Sequence, residues 1–231
     1  MITSLDNPKI KLLMKLKMPK YRKKMGMFLV FGNHLVIEAK NKNLLIEAYS
    51  IYEKEGYIQI SESIMKKIID NDTLISEIAL CKLEEKNELT NKILILDGIQ
   101  DPGNLGTLLR TAHAFNFNTI VLGEGTVDLY NDKVIRASQG AIFKLNFRRE
   151  NLINFIPSLN NYHIYGTDVV NGISLDDIKK DDNIAIVLGN EGNGISPDVK
   201  KILNKNIYIE MEDTESLNVA IAGALIMYKL R

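Results

Sequence analysis

Apolar residues follow two different patterns along this 231-residue chain. The first third mixes short strand-like runs with helical spacings, as where Ile10, Leu13 and Met14 share one face of a predicted helix and lysines occupy the other. From residue 93 onward, short and wholly apolar runs alternate regularly with segments at helical spacing. Such runs are typical of strands that a parallel sheet buries on both faces.

The regular part of the chain predicts six strands with helices between them. The strands are predicted at 93–96, 119–122, 142–147, 162–165, 184–188 and 206–210, and the helices at 104–115, 132–138, 151–159, 196–203 and 216–230. Alternation of this kind favours an α/β fold in which helices cover both faces of a parallel sheet. A small α+β domain is predicted before it.

A charged and polar stretch without apolar periodicity separates the two patterns. We therefore predict a first domain at 1–82, a linker at 83–92 and a second domain at 93–231. Within the second domain, residues 219–228 form the longest apolar run, which is roughly half of what a membrane span needs. The sequence thus predicts a cytoplasmic protein without a membrane segment.

Composition adds two expectations. The single cysteine, Cys81, excludes an internal disulfide and favours a small buried hydrophobe over a reactive thiol. The net charge is zero, yet residues 1–42 hold ten Lys and Arg against two acidic residues. This basic end indicates a polyanion partner, although a lysine-rich solvated helix face would look the same.

Ligands of an open parallel sheet bind beyond the carboxyl ends of its strands, so the loops that follow the strands are the candidate site. The first loop, 97–106, is rich in glycine and leads into a helix that Asn104 is expected to cap. Arg110 lies nearly two turns further on, where its guanidinium could bind a phosphate. A helix cap with a surface ion pair would explain the same residues.

Two later loops are also unusual. Residues 189–196 are rich in glycine, but they match neither the dinucleotide-binding fingerprint nor a P-loop. Residues 212–218 precede an almost wholly apolar helix, which is expected in the core or against a second subunit. Capping of that helix explains Ser216, whereas it leaves Asn218 without a role.

Together these loops resemble the three motifs of the SpoU (TrmH) branch of the SPOUT RNA methyltransferases. Residues 101–112 match D-P-x-N-x-G-x-x-x-R-T-A, residues 189–196 match G-x-E-x-x-G-[IL]-S, and residues 215–222 match E-S-L-N-V-[AS]-x-A. Residues 1–50 resemble the substrate-binding domain that often precedes the catalytic domain. The resemblance implies 2′-O-methylation of a ribose, a deep C-terminal trefoil knot and a homodimer with the last helix in its interface.

The resemblance also implies S-adenosylmethionine as the cofactor, held largely by backbone groups. Carried over to this chain, the cofactor-binding residues are Thr167, Leu188, Gly189, Glu191, Gly194, Ile209, Met211, Leu217, Asn218 and Val219. No metal is expected, since His34, His113 and His163 lack the spacing of metal ligands. No membrane partner is expected either.

The implied catalytic set is Asn104, Arg110, Glu191, Ser216 and Asn218. Arg110 acts either as a base or as a stabiliser of phosphate and alkoxide, and we favour the second because an arginine is normally protonated. Predicted RNA-binding residues are Lys9, Lys11, Lys15, Arg22, Lys23, Lys24, Arg110 and Arg136. The expected target is ribosomal RNA (23S); a transfer RNA target and a non-catalytic RNA-binding relative are the alternatives.

Overall fold

The computed structural model describes residues 1–69, 75–84, 88–169 and 171–231. The chain forms two compact units. Unit 1 consists of Met1–Glu84 and Asp128–Phe143, and unit 2 consists of Glu85–Val127 and Lys144–Arg231. No helix in the described ranges is both long enough and apolar enough to cross a membrane.

Unit 1 begins with two short helices, α1 and α2, and contains a four-stranded sheet in the order β1-β4-β2-β3. Its elements up to residue 84 are α1 (Pro8–Lys15), α2 (Pro19–Met25), β1 (Met27–Phe31), α3 (Asn33–Asn41), β2 (Leu45–Ser50), β3 (Ile58–Gln59), α4 (Glu62–Ile69) and β4 (Glu77–Lys82). Strand β4 runs antiparallel to both β1 and β2. The apolar face predicted for α1 is confirmed, because Ile10 and Leu13 are fully buried in the core of this unit.

Unit 2 contains a seven-stranded sheet in the order β7-β6-β5-β10-β8-β11-β9. The elements from residue 88 onward are β5 (Lys92–Asp97), α5 (Pro102–Ala114), β6 (Thr119–Leu122), α6 (Asp132–Ala137, which belongs to unit 1), β7 (Asn146–Arg149), α7 (Leu152–Phe155), β8 (His163–Thr167), β9 (Ile173–Ser174), β10 (Ile184–Gly189), α8 (Pro197–Ile202), β11 (Asn206–Tyr208) and α9 (Val219–Leu230). All pairings between these strands are parallel. The predicted parallel α/β architecture is therefore confirmed.

The segment Asp128–Phe143 packs in unit 1, although the sequence pattern had assigned it to the second domain. Arg22 forms an ion pair with Asp128, and the Phe28 ring lies 4.6 Å from the Tyr130 ring and 6.4 Å from the Phe143 ring. These aromatic contacts explain why a stretch flanked by strands of one unit belongs to the core of the other. They involve residues far apart in the chain, which periodicity does not detect.

The predicted strand at 142–147 is wrong in its position. Ala141–Phe143 forms a short 3-10 turn of unit 1, and the strand begins only at Asn146. Because Ala141, Ile142 and Phe143 are all buried, they read as an apolar run, and such a run does not distinguish a strand from a buried turn. Strand β9 has only two residues, too few to leave a pattern in the sequence.

The caps of two helices differ from the prediction in a way that affects the site. Asp101, not Asn104, caps α5, because its Oδ1 accepts a hydrogen bond of 2.8 Å from the Asn104 N–H. Asn218, not Ser216, caps α9 and accepts bonds from Ala220 N–H at 2.9 Å and Ile221 N–H at 3.3 Å. The side chain of Asn104 is thereby left available for other contacts.

Candidate active site

A cavity of about 530 Å³ opens at the carboxyl edge of the sheet in unit 2, where the residues after β8, β10 and β11 meet the start of α9. Every predicted cofactor-binding residue lines it: Thr167, Leu188, Gly189, Glu191, Gly194, Ile209, Met211, Leu217, Asn218 and Val219. Asn104 and Ser216 of the predicted catalytic set line it as well. The structure thus brings residues from all three loops to one cavity.

Gly189 ends β10 at a point where the following loop folds back against it. A Cβ atom on Gly189 would lie 2.1 Å from both the Gly194 carbonyl carbon and the Ile195 nitrogen. Two backbone hydrogen bonds of 2.9 Å between Asn190 and Gly194 close the loop. Only glycine fits at residue 189, so the cavity wall here is backbone rather than side chain.

Glu191, Asn104 and Asn218 form one hydrogen-bonded network that joins the three loops. The Asn218 amide nitrogen donates to Asn104 Oδ1 at 3.0 Å, and the Asn104 amide nitrogen donates to Glu191 Oε1 at 3.1 Å. The Glu191 carboxylate also accepts the backbone N–H of Asp101 at 3.1 Å and of Gln100 at 3.2 Å. The role that was missing for Asn218 is now clear, because it both caps α9 and holds Asn104.

The carboxyl group of Glu191 is held in its ionised form. Burial raises the pKa of Glu191. Four hydrogen bonds to its carboxylate, from its own backbone N–H, from the Asn104 amide and from the N–H groups of Asp101 and Gln100, lower the pKa by more than burial raises it. The net pKa is therefore below the ordinary value for glutamate. At neutral pH this group is an acceptor that fixes the loops, and not a proton donor.

The architecture and this network point to a known family. A model of the SpoU rRNA Methylase family matches residues 91–228, and a model of the MRM3-like substrate binding domain matches residues 7–75. The chain belongs to the SpoU rRNA methylase family.

Similar proteins are found over the full length of this SpoU family member. The 23S rRNA (guanosine(2553)-2′-O)-methyltransferase RlmP of Bacillus subtilis is 35% identical over 100% of this chain and 98% of its own. The structure of a TrmH-family protein from Porphyromonas gingivalis superposes with a TM-score of 0.86, 30% identity and coverage of 99% and 98%. An AdoMet-bound rRNA methyltransferase from Sinorhizobium meliloti (TM-score 0.88, 24% identity, coverage 99% and 95%) shows that the fold is the same.

Arg110 of the SpoU motif lies on α5, on its exposed side and outside the residues that line the cavity. Among the residues that the structure describes, it has no ion-pair partner. The sequence alternative of a surface ion pair is therefore not supported. A guanidinium that pairs with none of the described acidic side chains remains available for a ligand's negative charge.

Asp168, Asn190 and Lys200 are among the cavity-lining residues that are absent from the predicted site. Asp168 directly follows β8 and pairs with Lys200 at 3.5 Å, and both lie in the cavity wall. Asn190 follows β10 and contributes to the same wall. The rule that ligands bind beyond strand ends could have found Asp168 and Asn190, whereas Lys200 enters only through the fold of α8.

The predicted RNA-binding residues of unit 1 differ in their exposure and in their ion pairs. Three of them are exposed: Lys15, Lys23 and Lys24. Two more are exposed but form ion pairs, Lys9 with Glu47 and Lys11 with Asp6. Arg136 is half-buried and pairs with Asp132 on its own helix.

Within the described parts of the chain, no group of three His, Cys, Asp or Glu residues could hold a metal ion.

Arg22 is a correction to the predicted RNA surface. The residue is only 6% exposed, and its guanidinium donates to the carbonyl oxygens of Leu16 at 2.8 Å and Lys17 at 2.9 Å and to the Asp128 carboxylate. A guanidinium buried in this way cannot reach a phosphate. The prediction of Arg22 as an RNA contact is wrong, and the residue instead ties α2 to the segment that begins at Asp128.

Proposed function

We propose that this chain transfers the methyl group of S-adenosylmethionine to a ribose 2′-hydroxyl of 23S ribosomal RNA. The network of Asn218, Asn104 and Glu191 at the wall of the cavity is the observation that carries the proposal, because it unites the three SpoU motifs in one place. The full-length similarity to RlmP supports the choice of 23S rRNA over transfer RNA. A non-catalytic relative would have lost part of this set.

The cavity suits the cofactor in size and in the chemistry of its wall. Ligand sites commonly measure about 300–1,000 Å³, and this cavity falls within that range. The backbone around Gly189, Ile209 and Leu217 would hold the cofactor, because all three residues line the cavity and the absence of a Cβ at Gly189 lets the loop at Gly194 and Ile195 close against it. Bound there, S-adenosylmethionine supplies a methyl group that is already activated for transfer.

The residues of the chain must then orient the ribose and stabilise charge. A ribose hydroxyl is a poor nucleophile. Negative charge builds on its oxygen as the proton leaves to solvent water, and this charge is neutralised when the oxygen bonds to the methyl group and the bond between methyl and sulfur breaks. We propose that Arg110 stabilises this charge and binds the adjacent phosphate, while Asn104, Glu191 and Ser216 position the reacting groups. A positioned donor of this kind is worth roughly 10²–10³ in turnover.

A methylation assay tests this function. The substrate is 23S rRNA from a Bacillus subtilis strain that lacks RlmP, incubated with labelled S-adenosylmethionine, and the product is mapped for 2′-O-methyl groups. We expect one modified ribose, at guanosine 2553, the nucleotide that the name of RlmP specifies. If the protein binds the cofactor but labels no RNA, the enzymatic function is contradicted; labelling of transfer RNA alone would favour the alternative target.

We further propose that exposed lysines of unit 1 bind the RNA backbone. Replacing Lys23 and Lys24 with alanine should weaken binding, because each lost phosphate contact reduces counterion release. The expected result is a salt-dependence slope that is smaller in magnitude by about 1–2. Fluorescence anisotropy with labelled 23S rRNA fragments at several salt concentrations measures this slope.

Lys66→Ala is the matched control, because Lys66 is an exposed lysine of the same unit that pairs with Glu62 on its own helix at 2.7 Å. This variant should keep the slope of the unchanged protein. If the double variant and the control had the same salt-dependence slope, the proposal that Lys23 and Lys24 contact RNA phosphates would be contradicted.

A homodimer is proposed from the outer face of α9. Ile221, Leu225 and Tyr228 lie on successive turns of this helix and are 52%, 43% and 54% exposed. An apolar stripe of this length on a helix is typical of an interface. Sedimentation equilibrium of the full chain should give a dimer, and a monomer at micromolar concentration would contradict the proposal.

The C-terminal knot is likewise proposed, because the chain belongs to the SpoU family and the resemblance of its motifs implies this knot. An experimental structure in which the C-terminal segment does not pass through a loop of the chain would contradict the proposed knot.

A further inference from the structure

Asn190 uses every hydrogen-bonding group of its side chain within the loops of the site. Its amide nitrogen donates to the Gly98 carbonyl oxygen at 2.9 Å. Its Oδ1 accepts the backbone N–H of Gly192 at 2.9 Å and of Asn193 at 3.1 Å. One side chain therefore shapes the loop after β10 and ties that loop to the residue after β5.

Asn190 and Glu191 are adjacent residues, and both form hydrogen bonds with the loop that follows β5. Asn190 holds Gly98, while the Glu191 carboxylate holds the N–H groups of Gln100 and Asp101. The loop that lines the cofactor cavity is thus fixed at two points to the loop that leads into α5. Asn104, on the first turn of α5, is positioned by the same contacts.

The geometry requires a side chain that donates at one end and accepts at the other. Aspartate could still accept from Gly192 and Asn193, but an ionised carboxylate cannot donate to the Gly98 carbonyl. It would also place a second negative charge near the Glu191 carboxylate, whose Oε2 lies 3.4 Å from the Asn190 amide nitrogen. Both effects would loosen the contact between the two loops.

We propose that Asn190 is a positioning residue for methyl transfer, which fixes the cofactor loop 189–194 against the start of α5. The inference rests on the proposed function of this cavity, and it goes further in assigning a role to a residue outside the carried-over catalytic set. Asn190 sets the distance between the bound methyl donor and the ribose that Asn104 helps to hold. Small errors in such distances are costly, because a displacement of about 1 Å can lower turnover roughly 100-fold.

The test compares Asn190→Asp with Asn161→Asp, which makes the same chemical change at an exposed turn before β8, on the opposite edge of the sheet. For Asn190→Asp we expect a kcat at least about 10-fold lower, a Kd for S-adenosylmethionine within about 3-fold and a folded protein. The control should match the unchanged protein in all three measurements. The assays are single-turnover methylation of 23S rRNA, calorimetric cofactor binding and thermal unfolding.

The pH profile separates positioning from a general structural role. The pKa of an ordinary aspartate is about 4, so the introduced carboxyl group becomes protonated near that pH and can donate to Gly98 again. The ratio of variant to unchanged kcat should therefore rise between pH 7 and pH 4.5. Asn190→Leu lacks this group, and its ratio should stay flat. A flat ratio for Asn190→Asp, or loss of kcat in proportion to lost folding, would overturn the inference.

Failure of the proposed function would look different from failure of this inference. If the unchanged protein methylates no RNA, the function itself is contradicted. If the unchanged protein is active and Asn190→Asp has the same kcat, only the role of Asn190 is overturned.

Discussion

Replacing Arg110 with alanine is expected to lower kcat by about 100-fold or more and to leave the affinity for S-adenosylmethionine within about 2-fold. The reason lies in where the residue is placed. Arg110 is exposed on α5 and does not line the cofactor cavity, while the described part of the chain provides no ion-pair partner for its charge. Removal of the Arg110 side chain should therefore weaken the stabilisation of negative charge on the ribose oxygen and lower kcat, while the affinity for the cofactor stays nearly unchanged. Single-turnover kinetics and calorimetry measure the two effects separately.

Arg110→Lys distinguishes the two roles that the sequence left open. A charge stabiliser should work in part with lysine, which keeps the positive charge but loses the planar fork, so we expect an intermediate kcat with an unchanged pH profile. If Arg110 were the base, lysine would give up its proton more readily, and the profile of kcat would shift to lower pH by about two units. Equal losses of kcat and cofactor affinity in the alanine variant would contradict both roles.

Much of the catalytic unit could be predicted because its signals are local. The strand at 119–122 has the predicted bounds, and the buried run at 93–96 lies within β5. The cofactor residues were carried over from motifs, and all ten line one cavity. Their individual roles in binding and catalysis stay predictions. Strand ends and glycine-rich loops are sequence features, so their convergence at one sheet edge follows from the parallel topology.

What could not be predicted depends on contacts between distant residues. Arg22 looked like one of many surface cations, yet the Asp128 carboxylate, 106 positions away, and two carbonyl oxygens hold it in the interior of unit 1. The helix caps were misassigned for a related reason. Several polar residues stand before α5 and α9, and each could form the local capping bond that Asp101 forms with the Asn104 N–H. The tertiary bond from Asn104 to Glu191, which assigns Asn104 to another loop, leaves no local pattern in the sequence.

Gly189→Ala is expected to have the second large effect, and it should act on binding instead of turnover. The added Cβ would lie 2.1 Å from backbone atoms of Gly194 and Ile195, which cannot rotate aside as a flexible side chain can. The loop must then move away from β10 and break the two hydrogen bonds between Asn190 and Gly194. We expect a cofactor affinity at least about 10-fold weaker and a loss of about 1–3 kcal/mol in the free energy of unfolding.

Gly192→Ala is the matched control for stability, since a Cβ there would meet only the Asn190 Oδ1 atom, at an ordinary contact distance of 3.6 Å. That variant should keep the unfolding midpoint of the unchanged protein in thermal denaturation. If Gly189→Ala unfolded like the control and bound S-adenosylmethionine as tightly as the unchanged protein, the backbone wall of the cavity would not be the cofactor site. With Arg110→Ala, which should bind the cofactor and fail to turn over, the pair would separate the place where the methyl donor binds from the charge that assists its transfer.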